Sequence, residues 1–337
     1  MSGTDPYLHP PLHAVRDAVA RALAEDLTPI GDLSAALVPS DAHAEAEFVV
    51  RTRGVLAGTA CATETFRQID ERIHVEWAVG EGSLVAARTA VGVVRGPLPS
   101  ILTAERTALN FLGHLSGVAT RVRALVDALL DAGGDDAPRV WDTRKTTPGL
   151  RALEKAAVRA GGGRNHRGNL SDWVMLKDNH LTGIGITAGV ARARDLWPGR
   201  AVHVECERQE QVVEAVGAGA DAILLDNMSP VEITECVRLV HDAGLGSRRP
   251  LLEISGGVTL ENAPSYARAG ADMISSGSLT NSAPVLDIGL DIHPMTTTTP
   301  GPERGARPER PSERGARPER PSERGARPER PSERGAR

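Results

Sequence analysis

Lysine is almost missing from this chain: of 39 basic residues, only Lys145, Lys155 and Lys177 are lysines. Elsewhere a positive charge is supplied by arginine. An ammonium is a compact point charge that can meet one oxygen without the planar fork of a guanidinium. Lysines surviving in so Arg-biased a chain, all in one stretch, point to an anion-handling site. Cysteine is scarce too. Cys61, Cys206 and Cys236 are odd in number and widely spaced, which excludes a disulfide framework and a CxxC metal motif. No apolar run reaches 18 residues, and Met1-Ser2-Gly3-Thr4-Asp5-Pro6 lacks the charge and apolar stretch of a secretory leader. The sequence therefore predicts a cytoplasmic protein with no membrane partner. Aromatic residues make up 3% of the chain, so a core drawn from 40% hydrophobic residues must be mostly Ala, Val, Leu and Ile. That composition suits packed α/β layers.

The net charge of −5 is unevenly placed. Residues 303–337 are rich in Arg, so the body is more acidic than the whole, which argues against nucleic-acid binding. From Glu303 the unit Glu-Arg-Gly-Ala-Arg-Pro-Glu-Arg-Pro-Ser recurs. Apart from its prolines it has nothing apolar larger than Ala to bury, so 295–337 reads as a disordered tail. Residues 1–135 read as a mixed unit. Leu12, Val15, Val19, Leu23 and Leu27 share a helical face, 45–53 and 83–94 are strand-like, and a long helical stretch follows from Ser100 to about Leu130.

Residues 136–294 change character. Short apolar runs alternate with helical segments at 208–217, 230–243 and 260–269, the pattern of a parallel sheet covered by helices. Each run ends in polar residues: Asp142-Thr143-Arg144-Lys145, Lys177-Asp178-Asn179, Glu205, Asp226-Asn227, Ser255-Gly256-Gly257 and Ser276-Gly277. In α/β barrels the loops after the strands converge on one mouth and carry the chemistry. Six such endings favour a barrel over an open sheet.

Three groups of residues can do chemistry there. Arg144, Lys145, His166, Arg167 and Lys177, with Arg106 in the earlier helix, form a cationic set that would repel itself without a polyanionic ligand. Glu205 and Asp226 can accept bonds from sugar hydroxyls, hold Mg²⁺ or stabilise a developing cation. Ser255-Gly256-Gly257 and Ser276-Gly277 let backbone N–H groups approach a phosphate. Gly183-Ile184-Gly185 follows Lys177 rather than a strand-to-helix turn and is not a dinucleotide loop. Gly161-Gly162-Gly163 reads as a flexible connector, Lys155 as a helix-surface residue.

From about residue 12 to 290 the chain resembles the quinolinate phosphoribosyltransferase family. The matching stretches include Ala104-Glu105-Arg106-Thr107-Ala108-Leu109-Asn110, Asp142-Thr143-Arg144-Lys145-Thr146-Thr147-Pro148-Gly149, Asn165-His166-Arg167, Lys177-Asp178-Asn179-His180, Leu225-Asp226-Asn227 and Glu253-Ile254-Ser255-Gly256-Gly257. The resemblance implies an N-terminal α/β sandwich domain and an incomplete, seven-stranded α/β barrel. It implies Mg²⁺-dependent transfer of phosphoribose from phosphoribosyl pyrophosphate to quinolinate, with decarboxylation. Arg144, His166, Arg167 and Lys177 would line the quinolinate pocket, with Arg106 arriving from the second subunit of a homodimer. Lys145, Glu205 and Asp226 would serve the pyrophosphate, ribose and Mg²⁺. Ser255, Gly256, Gly257, Ser276 and Gly277 would hold the 5′-phosphate. His203 departs from the family pattern, which commonly has Glu two residues before Glu205. The rivals are a pyrophosphorylase associated with molybdenum transport and a non-catalytic barrel serving as a binding protein.

Overall fold

A computed structural model of the chain describes residues 6–295. The repeat read as a disordered tail lies outside them. The first half forms α1 (Leu12–Leu27), β1 (His43–Val50), β2 (Gly54–Val55), α2 (Thr59–Ile69), β3 (His74–Trp77), β4 (Leu84–Val85), β5 (Thr89–Pro97) and α3 (Leu98–Gly133). The second forms β6 (Arg139–Trp141), α4 (Arg151–Ala160), β7 (Val174–Leu176), α5 (Asp178–Leu181), α6 (Ile186–Leu196), β8 (Val202–Cys206), α7 (Gln209–Ala218), β9 (Ala222–Asp226), α8 (Pro230–Asp242), β10 (Leu251–Ser255), α9 (Ala263–Tyr266), β11 (Met273–Ser275), α10 (Ser278–Asn281) and β12 (Ile288–Met295).

β12, β1, β5 and β3 pair in that order as an antiparallel sheet. Along β1, Ala44, Ala46 and Phe48 turn inward at every second position, as the pleat requires, and Phe48 stacks on Trp77 with centroids 4.8 Å apart. β12 corrects the expected division at 294: this last strand returns to the N-terminal sheet, pairing along its length with β1, instead of joining the barrel. The long helical stretch is one helix, α3, opened by Pro97 and Pro99 and closed where Gly134 takes φ 64°. Its first half packs Ile101, Ala104, Ala108 and Leu112 into the sheet's core, while Leu115, Val118, Val122 and Leu125 enter the core of the second layer. Each such large side chain contributes roughly 1.5–3 kcal/mol of burial, so α3 couples the two cores.

The second layer is an all-parallel sheet in the order β6-β11-β10-β9-β8-β7. The seventh position is held by one residue. Arg164 bridges Trp141, donating its N–H to Val140 O at 2.8 Å and accepting from Asp142 N at 3.1 Å. Asn165 and His166 follow it, with the Asn165 side chain and the His166 N–H on Asp142 and the His166 carbonyl on Lys155, so the pairing goes no further. The helices start and stop as their ends dictate. Ser229 caps α8 reciprocally with Glu232 and Pro230 occupies its first turn, while α7 ends at Gly219 in the left-handed region. The helix expected over 260–269 shrinks to α9, because Asn262 holds Thr259 N and Gly257 O in a turn and Pro264 follows.

Candidate active site

Inward-facing positions recur at spacing two along the barrel strands: Met175 and Lys177, His203 and Glu205, Leu224 and Asp226, Glu253 and Ser255. The apolar or buried member sits lower, and the polar member stands at the strand's C-terminal end. All but His203 line one cavity of about 330 Å³ with Thr143, Arg144, Lys145, His166, Arg167 and Ser275. A second hollow of about 350 Å³ shares Thr143, Lys145, Ser255 and Ser275 with it and continues over Gly256, Gly257, Ser276, Gly277 and Arg121. The sequence reading therefore brings Arg144, Lys145, His166, Arg167, Lys177, Glu205, Asp226 and Ser255 into the first cavity. Gly256, Gly257, Ser276 and Gly277 line the second.

Arg106 is not brought there. It is exposed on α3 and lines a separate hollow of about 400 Å³ with Leu109, Asn110, Gly113 and residues 285–288. Within one chain, the expected role of Arg106 at the cavity is unmet.

Among the described residues, neither arginine of the cavity is in an ion pair with a carboxylate. Among the described residues, Arg144 Nε is buried with no hydrogen-bond partner, and the bond recorded for the Arg167 guanidinium runs from Nη2 to Met175 Sδ at 3.5 Å. Burial, reinforced by the neighbouring Arg144, pushes Arg167 below the ordinary guanidinium range. Leaving buried cationic donors unmet costs several kcal/mol, a cost that an anionic ligand removes. Lys177 Nζ by contrast pairs with Glu205 Oε2, and Asp226 Oδ2 accepts from Asn227 Nδ2 at 2.7 Å.

Glycine shapes the second hollow. Gly256 and Gly257 have φ of +90° and +61°, and a Cβ on Gly256 would stand 2.2 Å from Asn227 Oδ1. A Cβ on Gly277 would meet Lys145 Cδ at 2.5 Å, so this glycine is what allows the lysine to lie against the last loop.

Beneath the cavity lies a network that the sequence reading missed. Lys155, expected on a helix surface, is 7% exposed, and its Nζ pairs with Asp142 Oδ1 and donates to His166 O at 2.8 Å. Asp142 also accepts from His166 N at 2.8 Å and Asn165 Nδ2 at 2.7 Å. One ion pair thus clamps the two segments that carry Arg144-Lys145 and His166-Arg167. Burial pushes Asp142 up and Lys155 down, against their mutual attraction. Glu154 braces the same loop, accepting from His114 Nε2 at 2.8 Å and Thr147 N at 3.1 Å. Gly161 and Gly163 are close-packing residues, not a flexible connector: a Cβ on Gly161 would lie 2.4 Å from Ala119 O of α3.

At the floor, His166 Nε2 lies 3.1 Å from Glu253 Oε2. His203 stacks on Trp173 with centroids 4.7 Å apart, and its Nδ1 is buried without a hydrogen-bond partner among the described residues. Burial drives this ring down to about 4. The one signal for Glu253 in the sequence was a charge inside Leu251-Leu252-Glu253-Ile254, an otherwise apolar strand.

Comparison with known proteins agrees with this geometry. Residues 32–116 match the N-terminal domain of quinolinate phosphoribosyl transferase, and residues 118–291 match its C-terminal domain. The chain is 39% identical to the probable nicotinate-nucleotide pyrophosphorylase [carboxylating] of Bacillus subtilis, over 78% of this chain and 88% of that protein. It is 40% identical to the nicotinate-nucleotide pyrophosphorylase [carboxylating] of Mycobacterium leprae, over 83% and 97%. The solved structure of the nicotinate-nucleotide pyrophosphorylase from Francisella tularensis superposes with a TM-score of 0.80 at 34% identity, covering 86% of this chain and all of that one.

Proposed function

The chain belongs to the quinolinate phosphoribosyltransferase family, and from that premise we propose how its own residues carry the reaction. The enzyme joins quinolinate to the phosphoribosyl group of phosphoribosyl pyrophosphate, yielding nicotinate mononucleotide, CO₂ and pyrophosphate in NAD biosynthesis.

Quinolinate enters the first cavity as a dianion. Arg144 and Arg167 take its carboxylates, with Lys177 and His166 completing the lining. The phosphoribosyl pyrophosphate spans both hollows. Its 5′-phosphate rests on Gly256, Gly257, Ser276 and Gly277, and its pyrophosphate meets Lys145 where the hollows join. The bond from ribose C1 to pyrophosphate then breaks, and its electron pair leaves with the pyrophosphate. Glu205 and Asp226, on adjacent strands, stabilise the positive character left on C1. The pyridine nitrogen forms the new bond with its lone pair. The resulting pyridinium draws electrons from the neighbouring carboxylate bond, CO₂ departs, and the ring carbon takes a proton. The protein's cations make the approach of two anions favourable and hold them in line.

Glu205 and Asp226 also suit Mg²⁺, which favours hard oxygen donors and takes one or two carboxylates together with substrate phosphates. Both line the first cavity beside Lys145. Bound there, Mg²⁺ would neutralise charge on the leaving pyrophosphate. Among the described residues, the one cluster of three close metal-ligand side chains is His166, His203 and Glu253, a nitrogen-rich set less suited to Mg²⁺. We further propose that Arg106 serves the cavity of a second subunit, which makes the working unit a homodimer. A cytoplasmic location is in keeping with three buried, unpaired cysteines.

The observation that carries the assignment of roles is the buried Arg167 and the half-buried Arg144, neither in an ion pair with a carboxylate among the described residues, in a cavity continuous with a glycine-lined hollow. Turnover of the purified enzyme with quinolinate, phosphoribosyl pyrophosphate and Mg²⁺ tests it. Arg144→Ala and Arg167→Ala should each raise the quinolinate KM by about 10- to 100-fold, the worth of a charge-assisted hydrogen bond. Lys145→Ala should act mainly on kcat. Quinolinate KM values unmoved in both arginine variants would overturn the assignment.

A further inference from the structure

Glu253 is 1% exposed and its side chain reaches the floor of a cavity meant for an anion. That is an unfavourable place for a carboxylate. Desolvation is costly unless the charge is paired, and its sign opposes the ligand. Its neighbours Met175 and Leu224 show that apolar side chains fit the same floor. Burial alone would push the Glu253 carboxyl up, yet His166, Ser275 and His203 together hold it below the ordinary range, so it stays ionised. The charge is therefore retained against its cost.

We infer that Glu253 is a positioning residue that makes the His166 ring a two-sided donor. The inference rests on the reading that His166 meets a carboxylate of quinolinate. His166 Nε2 is committed to Glu253 Oε2 at 3.1 Å. A neutral ring that donates there has only a lone pair at Nδ1, which repels an incoming carboxylate. The doubly protonated ring donates at both nitrogens. A buried carboxylate on one side and a substrate carboxylate on the other favour that form, and the imidazolium screens each negative charge from the other. The backbone of His166 is fixed independently, with its N–H on Asp142 Oδ1 and its carbonyl on Lys155 Nζ, so the ring alone responds to Glu253. His203 does not compete for the carboxylate. Its ring is neutral, being driven down to about 4, and is held flat against Trp173. The other charged groups lining this cavity are Arg144, Lys145, Arg167, Lys177, Glu205 and Asp226.

Glu253→Gln keeps shape and an acceptor for Nε2 while removing the charge. It should raise the quinolinate KM about tenfold, leave the KM for phosphoribosyl pyrophosphate within twofold, and leave the thermal midpoint near that of the parent. Ring ¹⁵N spectra of the parent enzyme with quinolinate bound should show both His166 nitrogens protonated, and the variant should show a single protonated nitrogen. A singly protonated His166 ring in the liganded parent overturns the inference whatever the variant does. So does a variant in which both KM values and kcat worsen together, since that is a structural defect. His166→Ala separates the two levels. An unchanged quinolinate KM in His166→Ala sinks the reading of the site, whereas a raised KM there with an unmoved Glu253→Gln sinks only the role of Glu253.

Discussion

At the scale of single residues, His203 has a consequence for stability that is separate from catalysis. An unfolded histidine takes up its proton near pH 6.5, while this buried ring does so only near 4. Between those values the unfolded chain binds more protons than the folded one, so stability falls as pH drops through the window, by about 3 kcal/mol at full extent. His203→Phe keeps a flat ring against Trp173 and removes the titration. Urea unfolding at pH 7, 5.5 and 4.5 should therefore show a shallower loss in the variant, and equal slopes would refute the assignment to this ring. Polar residues of this kind also mark the limit of what the sequence makes legible. Arg144, Lys177, Glu205 and Asp226 could be found because they end or closely follow strands, where a charge has no structural excuse, and Arg167 through the Asn165-His166-Arg167 stretch of the family resemblance. Lys155 could not. Its helix looks amphipathic, and nothing local shows that its ammonium meets Asp142, 13 residues earlier.

Secondary-structure elements were the more readable level, and glycine shows where that ends. Strands with inward positions at spacing two and helices with proline or Ser-x-x-Glu starts appear where local chemistry puts them. What local chemistry does not contain is the partner surface, so Gly117 and Gly217 look alike as helical glycines. Gly117 lies in the middle of α3, where an added Cβ would stand 2.0 Å from Pro284 O. Gly217, in the last turn of α7, has nothing within 4 Å. Alanine is worth about 0.5–1 kcal/mol over glycine inside a helix. Gly217→Ala should gain roughly that amount, whereas Gly117→Ala should lose about 1–3 kcal/mol as the segment leading to β12 is forced off α3. Equilibrium denaturation of both variants checks the contrast, and a stabilised Gly117→Ala would mean that the approach is looser than described. The same blindness explains β12. Its pairing joins residues 288–295 to residues 43–50, and no short-range pattern carries that information.

For the whole molecule the remaining question is how Arg106 reaches a reaction. It is an exposed guanidinium on the helix that joins the two cores, and in its own chain it lines a different hollow from Arg144 and Lys145. If it completes the cavity of a second subunit, each site of a homodimer is built from both chains, as two-fold symmetry requires. Arg106→Ala and Lys145→Ala homodimers then carry one lesion in every site and are both inactive. Random exchange between equal amounts makes about half the dimers mixed, because a symmetric pair assorts statistically. In each mixed dimer one site collects both lesions and the other collects neither. The mixture should recover about one quarter of parental activity, counting one intact site in half of the dimers. Were Arg106 instead to act within its own chain, mixing would restore nothing, because every site would still hold one lesion. Exchange is verified by native mass spectrometry of isotopically labelled subunits, so an inactive mixture containing mixed dimers would refute the shared site without ambiguity.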